Sequence, residues 1–332
     1  MPDQLLFAIE VSLNGLMAGV MYALVALGFV LIFKASGIFN YAQGVMALFA
    51  AMTLVGIQNG QVPFAHLINA TFGTNVHHFG WEVPALAAIL LTVVVMAVFA
   101  WLVNRYIFRH LVNQEPIILF MATIGLAYFL EGVADLMWGA EIKKLDVGLP
   151  QGASIWIEDN TAFLGGDGFY GFFIDRLDIV ATVIAALLVV GLVAFSQYTK
   201  QGRALRAVAD DHQAALSVGI SLNFIWVLVW SIAGFVALVA GIMWGAKSGV
   251  QFSLSLIALK ALPVLMLGGF TSIPGAIVGG LIIGVGEKLF EFAIGAPYLG
   301  GATENWFAYV LALIFLVFRP QGLFGEKIIE RV

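Results

Sequence analysis

ALAAILLTVVVMAVFAWLV, residues 85–103, carries no charge and a single hydroxyl, Thr92. A helix needs about 20 such residues to cross a hydrocarbon core of about 30 Å. A strand of a membrane barrel would alternate polar and apolar residues over about ten positions. This stretch is apolar on every side, so it reads as a membrane-spanning helix. The full segment extends over 83–108, and comparable runs recur near 5–33, 38–58, 116–138, 178–198, 224–246 and 305–318. A hairpin covers 255–293, with the arm SLIALKALPVLMLGG interrupted by Pro263, the turn FTSIPG, and the glycine-rich arm AIVGGLIIGVGEKLF. It is either two full crossings or a partly re-entrant loop. The chain is therefore expected to be an all-α polytopic integral membrane protein with eight or nine transmembrane helices.

The composition excludes several classes of function. Hydrophobic residues make up 61% of the 332 and charged residues 11%, with a mean hydropathy of +1.00. Soluble domains carry about a quarter charged residues, so a soluble enzyme is ruled out. The N-terminal MPDQLLFAIE has acids where a cleaved signal would have bases, and the first span is expected to be retained. There is no cysteine, hence no disulfide or thiol chemistry. No basic face supports nucleic-acid binding. LGGFTSIPGAIVGG lacks the lysine of a phosphate-binding loop, so ATP hydrolysis by that route is excluded. The adjacent His77 and His78 stand apart from any carboxylate or cysteine cluster and read as loop residues, with no metal site.

Lysine and arginine collect on the cytoplasmic side. That rule places Lys34, Arg105, Arg109, Lys200, Arg203, Arg206, Arg319, Lys327 and Arg331 inside. The segment 139–177 falls outside, with Glu141, Asp146, Glu158, Asp159, Asp167 and Asp175 against Lys143, Lys144 and Arg176. The N-terminus is then expected outside and the C-terminus in the cytoplasm. GLMAG (15–19), GIMWG (241–245), GAIVG (275–279) and GLIIG (280–284) are small-residue spacings that read as seams of close helix packing rather than dimer motifs.

The charged island TKQGRALRAVADDHQAALSVGISLN, 199–223, lies on the cytoplasmic side by the same rule. Arg203, Arg206, Asp210, Gln213 and Ser217 recur at three- and four-residue steps on one helical face, opposite Leu205, Val208, Ala215 and Leu216. Gly219 is suited to stop this amphipathic helix, and Ser221 or Asn223 to start the next.

Polar residues within spans cost energy in hydrocarbon and face neighbours or water. They are Asn14, Asn40, Gln43, Thr123, Glu131, Asp135, Lys260, Glu287, Lys288 and Glu291. Glu131, Asp135 and Lys260 fall near the outer boundary, and Glu287 and Glu291 are expected to pair locally with Lys288 or to snorkel. In SGIFNYAQG (36–44), Asn40, Tyr41 and Gln43 cluster at a helix start flanked by glycines. Two readings stand: free backbone N–H groups that favour a substrate carboxylate, or a helix cap with an interhelical hydrogen-bond pair. In TSIPG (271–275), Thr271 or Ser272 is available as a cap with Pro274 in the first turn.

The order SLNGLMAGVMYALVALGFVLIF, GIFNYAQG, QGRALRAVADDHQAALSVGI, GFVALVAGIMWG, LGGFTSIPGAIVGGLIIG closely resembles the LivH-like permease subunits of bacterial branched-chain amino acid ABC importers, over nearly the whole chain. The resemblance implies one transmembrane permease domain over 1–332 in the bacterial inner membrane. Its implied partners are a second, similar permease, two cytoplasmic ATPase subunits and a periplasmic binding protein. It implies no cofactor on this chain, with ATP and Mg used by the ATPases. The island 199–223 would be the coupling helix, with Arg203, Arg206, Asp210 and Asp211 meeting an ATPase and Gly219 turning the chain back. Asn40, Tyr41, Gln43, Thr123 and Ser272 are the candidates for the translocation pathway. The outer segment 139–177 is longer than the family leads one to expect. Alternatives are a permease for urea, short amides or aromatic acids, or an ion-coupled secondary transporter.

Overall fold

The computed structural model describes residues 2–111, 114–164, 170–210 and 212–325. In chain order the helices are α1 (Pro2–Ser36), α2 (Gln43–Gln58), α3 (Ala65–Phe72), α4 (Ala85–Tyr106), α5 (Pro116–Trp138), α6 (Ile155–Thr161) and α7 (Arg176–Tyr198). They continue with α8 (Lys200–Asp210), α9 (His212–Ser217), α10 (Leu222–Ser248), α11 (Ile257–Gly268), α12 (Ile273–Phe290), α13 (Ala296–Leu299) and α14 (Glu304–Phe318). Extended pairing among the described residues is confined to isolated bridges. Five helices, α1, α4, α5, α7 and α10, are long and apolar enough to cross a membrane. The pair 252–268 and 273–299, bent by 114° at its break, makes a sixth if counted as one span, and α2 and α14 are shorter apolar helices. The run expected over 38–58 is helical only from Gln43, because Gly37 at φ +67° and the turn after it interrupt the chain.

The chain divides into two compact units, one of Met1–Leu27, Leu149–Gly191 and Leu259–Val332, the other of Gly28–Gly148 and Leu192–Ala258. In the second unit α2 is the core, with every residue from Gln43 to Gly56 buried among α4, α5 and α10. A helix apolar all round belongs in such a place. Its small residues let backbones touch: Gly44 lies against the carbonyl of Ser255, Gly56 against the Trp138 ring, and Gly241 of α10 against the Ala47 carbonyl. The Trp138 indole donates to Thr53 Oγ1 at 3.2 Å.

In the first unit the seam lies between α1 and α12. Gly15 and Gly19 face Gly284 and Gly280 so closely that a Cβ at Gly19 would lie 2.6 Å from the Gly280 carbonyl oxygen, and one at Gly280 2.6 Å from that of Gly19. Gly275 and Gly279 press against Gly268 and Val264 across the hairpin. All four small-residue spacings thus pack within the chain. Phe290 stacks on Phe307 of α14 with ring centroids 4.4 Å apart.

The segment 139–177 holds paired backbone among its described residues. The Lys143 N–H donates to the Val250 carbonyl at 3.0 Å and the Val250 N–H returns the bond at 2.8 Å. The Lys143 ammonium, counted above as a loop charge, is buried and donates to Gln61 Oε1 and the Trp138 carbonyl, each at 2.6 Å. Burial holds its pKa below the usual lysine value, with Glu141 opposing the shift.

Candidate functional site

The turn 37–43 brings four of the sequence candidates together. Asn40 is fully buried; its amide donates to Gln43 Oε1 at 3.2 Å and to Met46 Sδ at 3.4 Å, and its Oδ1 accepts from the Ala42 N–H at 3.2 Å. Gln43, also buried, donates to the Ala233 carbonyl of α10 at 3.3 Å. Thr123 of α5 accepts from the Tyr41 N–H at 3.1 Å, and its hydroxyl lies 2.8 Å from the Phe120 carbonyl and 3.1 Å from that of Phe39. Phe39 stacks on Phe29 at 5.5 Å, and the ring of Tyr41 meets Phe120 edge-on at 6.3 Å. Asn40 therefore closes the turn before α2 and Gln43 bonds across to α10, while Tyr41, 40% exposed, is the member that reaches the surface. Gly28, overlooked in the sequence, completes the arrangement, since a side chain there would occupy the place of the Gln43 amide. No local signal could single it out, because its role depends on a residue one helix away.

This geometry separates two roles by measurement. Asn40→Ala is expected to destabilise the protein by about 1–3 kcal/mol for a buried polar partner removed, read as a lower thermal midpoint in detergent. Tyr41→Ala, at a ring that is 40% exposed, is expected to leave that midpoint nearly unchanged. Ser272 belongs to the other unit, where it caps α12 by accepting from the Gly275 N–H at 3.0 Å, with Pro274 in the first turn.

Within the island 199–223 the described residues on either side of Asp211, which itself lies outside them, are helical as α8 and α9. Thr199 Oγ1 accepts from the Gly202 N–H at 2.9 Å. Gly202 lets α8 fold back on α7, its Cα against the carbonyls of Phe195 and Ser196. Leu205 and Val208 are buried, Arg203 and Asp210 exposed, and Arg206 half-buried with a bond to the Gln197 carbonyl at 3.4 Å. Gly219 at φ +84° ends α9: its N–H donates to Leu216 at 3.0 Å and that of Ile220 to Ala215 at 3.0 Å, a paired closure that needs the left-handed conformation. Ser221 then caps α10 through the Phe224 N–H at 3.4 Å. Leu216, expected on the buried face, is 53% exposed while Ala215 is buried.

A charged cluster within the first unit departs from expectation more sharply. Glu287 is fully buried; Oε1 accepts from the Tyr22 hydroxyl at 2.6 Å, and Oε2 lies 3.3 Å from Lys260 Nζ. Lys260 also donates to the Glu304 carbonyl at 3.1 Å and sits 5.9 Å over the Tyr22 ring. Lys288 pairs instead with the Glu304 carboxylate at 2.7 Å, and Glu291 accepts from the N–H and hydroxyl of Thr303. Among the described residues, neither Glu287 nor Glu291 pairs with Lys288. Consecutive helical residues diverge by about 100°, and the partners come from α1, α11 and α14.

The chain matches the family described as branched-chain amino acid transport system permease component over residues 11–319. It is similar to the high-affinity branched-chain amino acid transport system permease protein BraD of Pseudomonas aeruginosa, 30% identical with 96% of each chain covered. It is similar to the corresponding LivH of Escherichia coli K12, 27% identical over the full length of both. Similarity extends to the ribose import permease protein RbsC of Escherichia coli K12, 27% identical over 76% of this chain and 77% of that one. With α-helical spans throughout and a family match over nearly its whole length, this chain belongs to the family of branched-chain amino acid transport permease components.

Proposed function

We propose that this chain is the transmembrane permease subunit of an ATP-binding-cassette importer for branched-chain or closely related amino acids. It pairs with a second, similar permease and with two cytoplasmic ATPases that bind ATP and Mg, and it receives substrate from a periplasmic binding protein. The observation that carries this reading is the full-length similarity to LivH and BraD. The chain itself carries no hydrolytic chemistry in this account, and Tyr41 is the pathway candidate able to meet a passing solute.

The distribution of lysine and arginine supports an outer N-terminus, an inner C-terminus and a cytoplasmic α8. The hairpin supports the same topology. Leu323 N–H donates to the Leu267 carbonyl at 2.8 Å, which sets the segment after α14 beside the hairpin tip. The Lys288–Glu304 pair sets the start of α14 beside the hairpin base. Both arms therefore reach the depth that α14 reaches, which favours two full crossings over a shallow loop. Counting α1, α2, α4, α5, α7, α10, α11, α12 and α14 gives nine crossings, an odd number consistent with termini on opposite sides.

In this account α8 docks on an ATPase through Arg203, Arg206, Asp210 and Asp211, with the exposed Leu216 and Val218 beside them. Closure of the ATPase pair would move α8, and the helices would alternate between outward- and inward-open cavities. Charge reversal, Arg203→Glu with Arg206→Glu, is expected to cut ATPase co-purification by roughly tenfold or more, the equivalent of about 1.4 kcal/mol, and to stop uptake. Unchanged co-purification and uptake sink the docking assignment. The transport class is checked in proteoliposomes loaded with the partner subunits: leucine uptake should require the binding protein and ATP. Uptake driven by an ion gradient without ATP would instead select a secondary transporter.

A further inference from the structure

Beside the C-terminal end of α5 the second unit encloses a cavity of about 970 Å³, within the roughly 300–1,000 Å³ of small-molecule sites. One wall is α3 with the loop around it, and the other is the stretch 135–143. The Phe64 N–H ties the first wall to the second by donating to the Met137 carbonyl at 3.1 Å, and the Val62 N–H closes the loop on the His77 carbonyl at 3.1 Å. Asn69 holds the far bend, its amide donating to the Val76 carbonyl at 3.2 Å and its Oδ1 accepting from the Val76 N–H at 3.0 Å. Phe64 sits at φ +60°, a left-handed conformation that a bulky residue keeps only where its surroundings impose it. The cavity is built from constrained backbone.

Its buried part carries a cation without an anion. Lys143 lines the cavity together with Gln61 and Trp138, the two residues that accept from its buried ammonium. Both acceptors are neutral, and they use two of the three ammonium donors. Among the described residues, no carboxylate oxygen lies within 4 Å of that nitrogen. A buried charge is costly unless an opposite charge compensates it. The other titratable lining side chains are all exposed: Asp135 and Glu141 on one wall, His77 and His78 on the other. Leu67, Leu136 and Met137 add apolar surface. A cation within, acids at the rim and apolar walls complement a zwitterion that enters carboxylate first.

We propose that this cavity binds a zwitterion with an apolar body, a free amino acid or a short peptide. Its carboxylate takes the remaining donor of Lys143, its ammonium faces Asp135 and Glu141, and its apolar side chain lies against Leu136 and Met137. None of the pathway candidates lines the cavity, so this site is additional to them. Only the side of the membrane on which it opens rests on the topology proposed above.

The chain has no cysteine, so one introduced thiol reports on the cavity alone. Ala70→Cys places it at an exposed position of the lining, and Gln201→Cys on α8 is the reference, each in the full chain in nanodiscs. L-Leucine or the dipeptide leucyl-leucine should slow maleimide labelling at position 70 several-fold and leave position 201 unchanged; whichever protects identifies the size of the occupant. Leucinamide keeps the ammonium without the carboxylate, and 4-methylpentanoate keeps the carboxylate without the ammonium, so each should protect several-fold less. Lys143→Met in the Ala70→Cys background should abolish protection. Protection by neither zwitterion overturns the proposal, and so does equal protection by leucinamide or by 4-methylpentanoate. Protection that survives Lys143→Met overturns it as well. The leucinamide comparison is made with Lys143 in place, so the proposal is tested even if Lys143→Met does not fold. Labelling needs neither ATP nor partner subunits, and its failure leaves the permease reading standing.

Discussion

Lys260→Met is expected to destabilise the protein by about 3 kcal/mol, because it strands a buried carboxylate. Glu287 is fully buried and Lys260 is 24% exposed at its side chain, so water can reach the cation but not the anion. Coulomb attraction in such a site offsets a large desolvation cost, and removing one partner leaves that cost without its offset. The partial exposure of Lys260 puts the loss at the lower end of the usual range. Tyr22→Phe, which removes a bond of 2.6 Å to a charged group, should cost less, about 1.5–3 kcal/mol. The decisive variant is the double replacement Lys260→Met with Glu287→Met. It removes the stranded charge together with its partner and should recover part of the loss, so the two substitutions are strongly non-additive. Thermal midpoints in detergent for the two single variants and the double variant measure this coupling. A double variant whose loss equals the sum of the two single losses would show that Lys260 and Glu287 act independently.

Gly280→Leu is expected to prevent α1 and α12 from packing at all, with loss of accumulated protein in the membrane. The obstacle to a Cβ at Gly280 is the carbonyl oxygen of Gly19, at 2.6 Å, and a backbone atom cannot rotate away. Separating the helices forfeits contacts along the seam from Gly15 to Val285. In membranes that packing is a main source of helix association, since lipid offers no hydrophobic drive between helices. Even Gly280→Ala should cost about 1–3 kcal/mol as an overpacked site. Gly132 of α5 is the control, because a Cβ there meets nothing within 4 Å. Gly132→Ala should be neutral or stabilising by up to about 1 kcal/mol. If both alanine variants melt alike, close packing is not what these glycines provide.

Local rules were legible residue by residue. Gly219 at the end of α9, Ser221 at the start of α10 and Ser272 at the start of α12 occupy the positions their chemistry suits. The four small-residue spacings announced close packing, but not with whom. The partners at the turn of Asn40 were not legible locally, because they are the Ala233 carbonyl and Thr123, 190 residues from Gln43 and 82 from Tyr41. The partner of Glu287 was misjudged for a related reason. Nearness in sequence suggested Lys288, whereas Lys260 is 27 residues away and Tyr22 is 265 away.

What the sequence by itself determined follows from short-range physics: hydrophobic length and helical period dictate spans, basic residues bias orientation, and glycine, serine and proline punctuate the backbone. Only the tertiary structure decided which polar side chains satisfy one another, that α2 is the buried centre of its unit, and that Glu287 is held by side chains of α1 and α11. A buried polar group takes whichever complementary partner the packed helices bring within about 3 Å. That proximity is a property of the packing and is written in no local stretch of the chain.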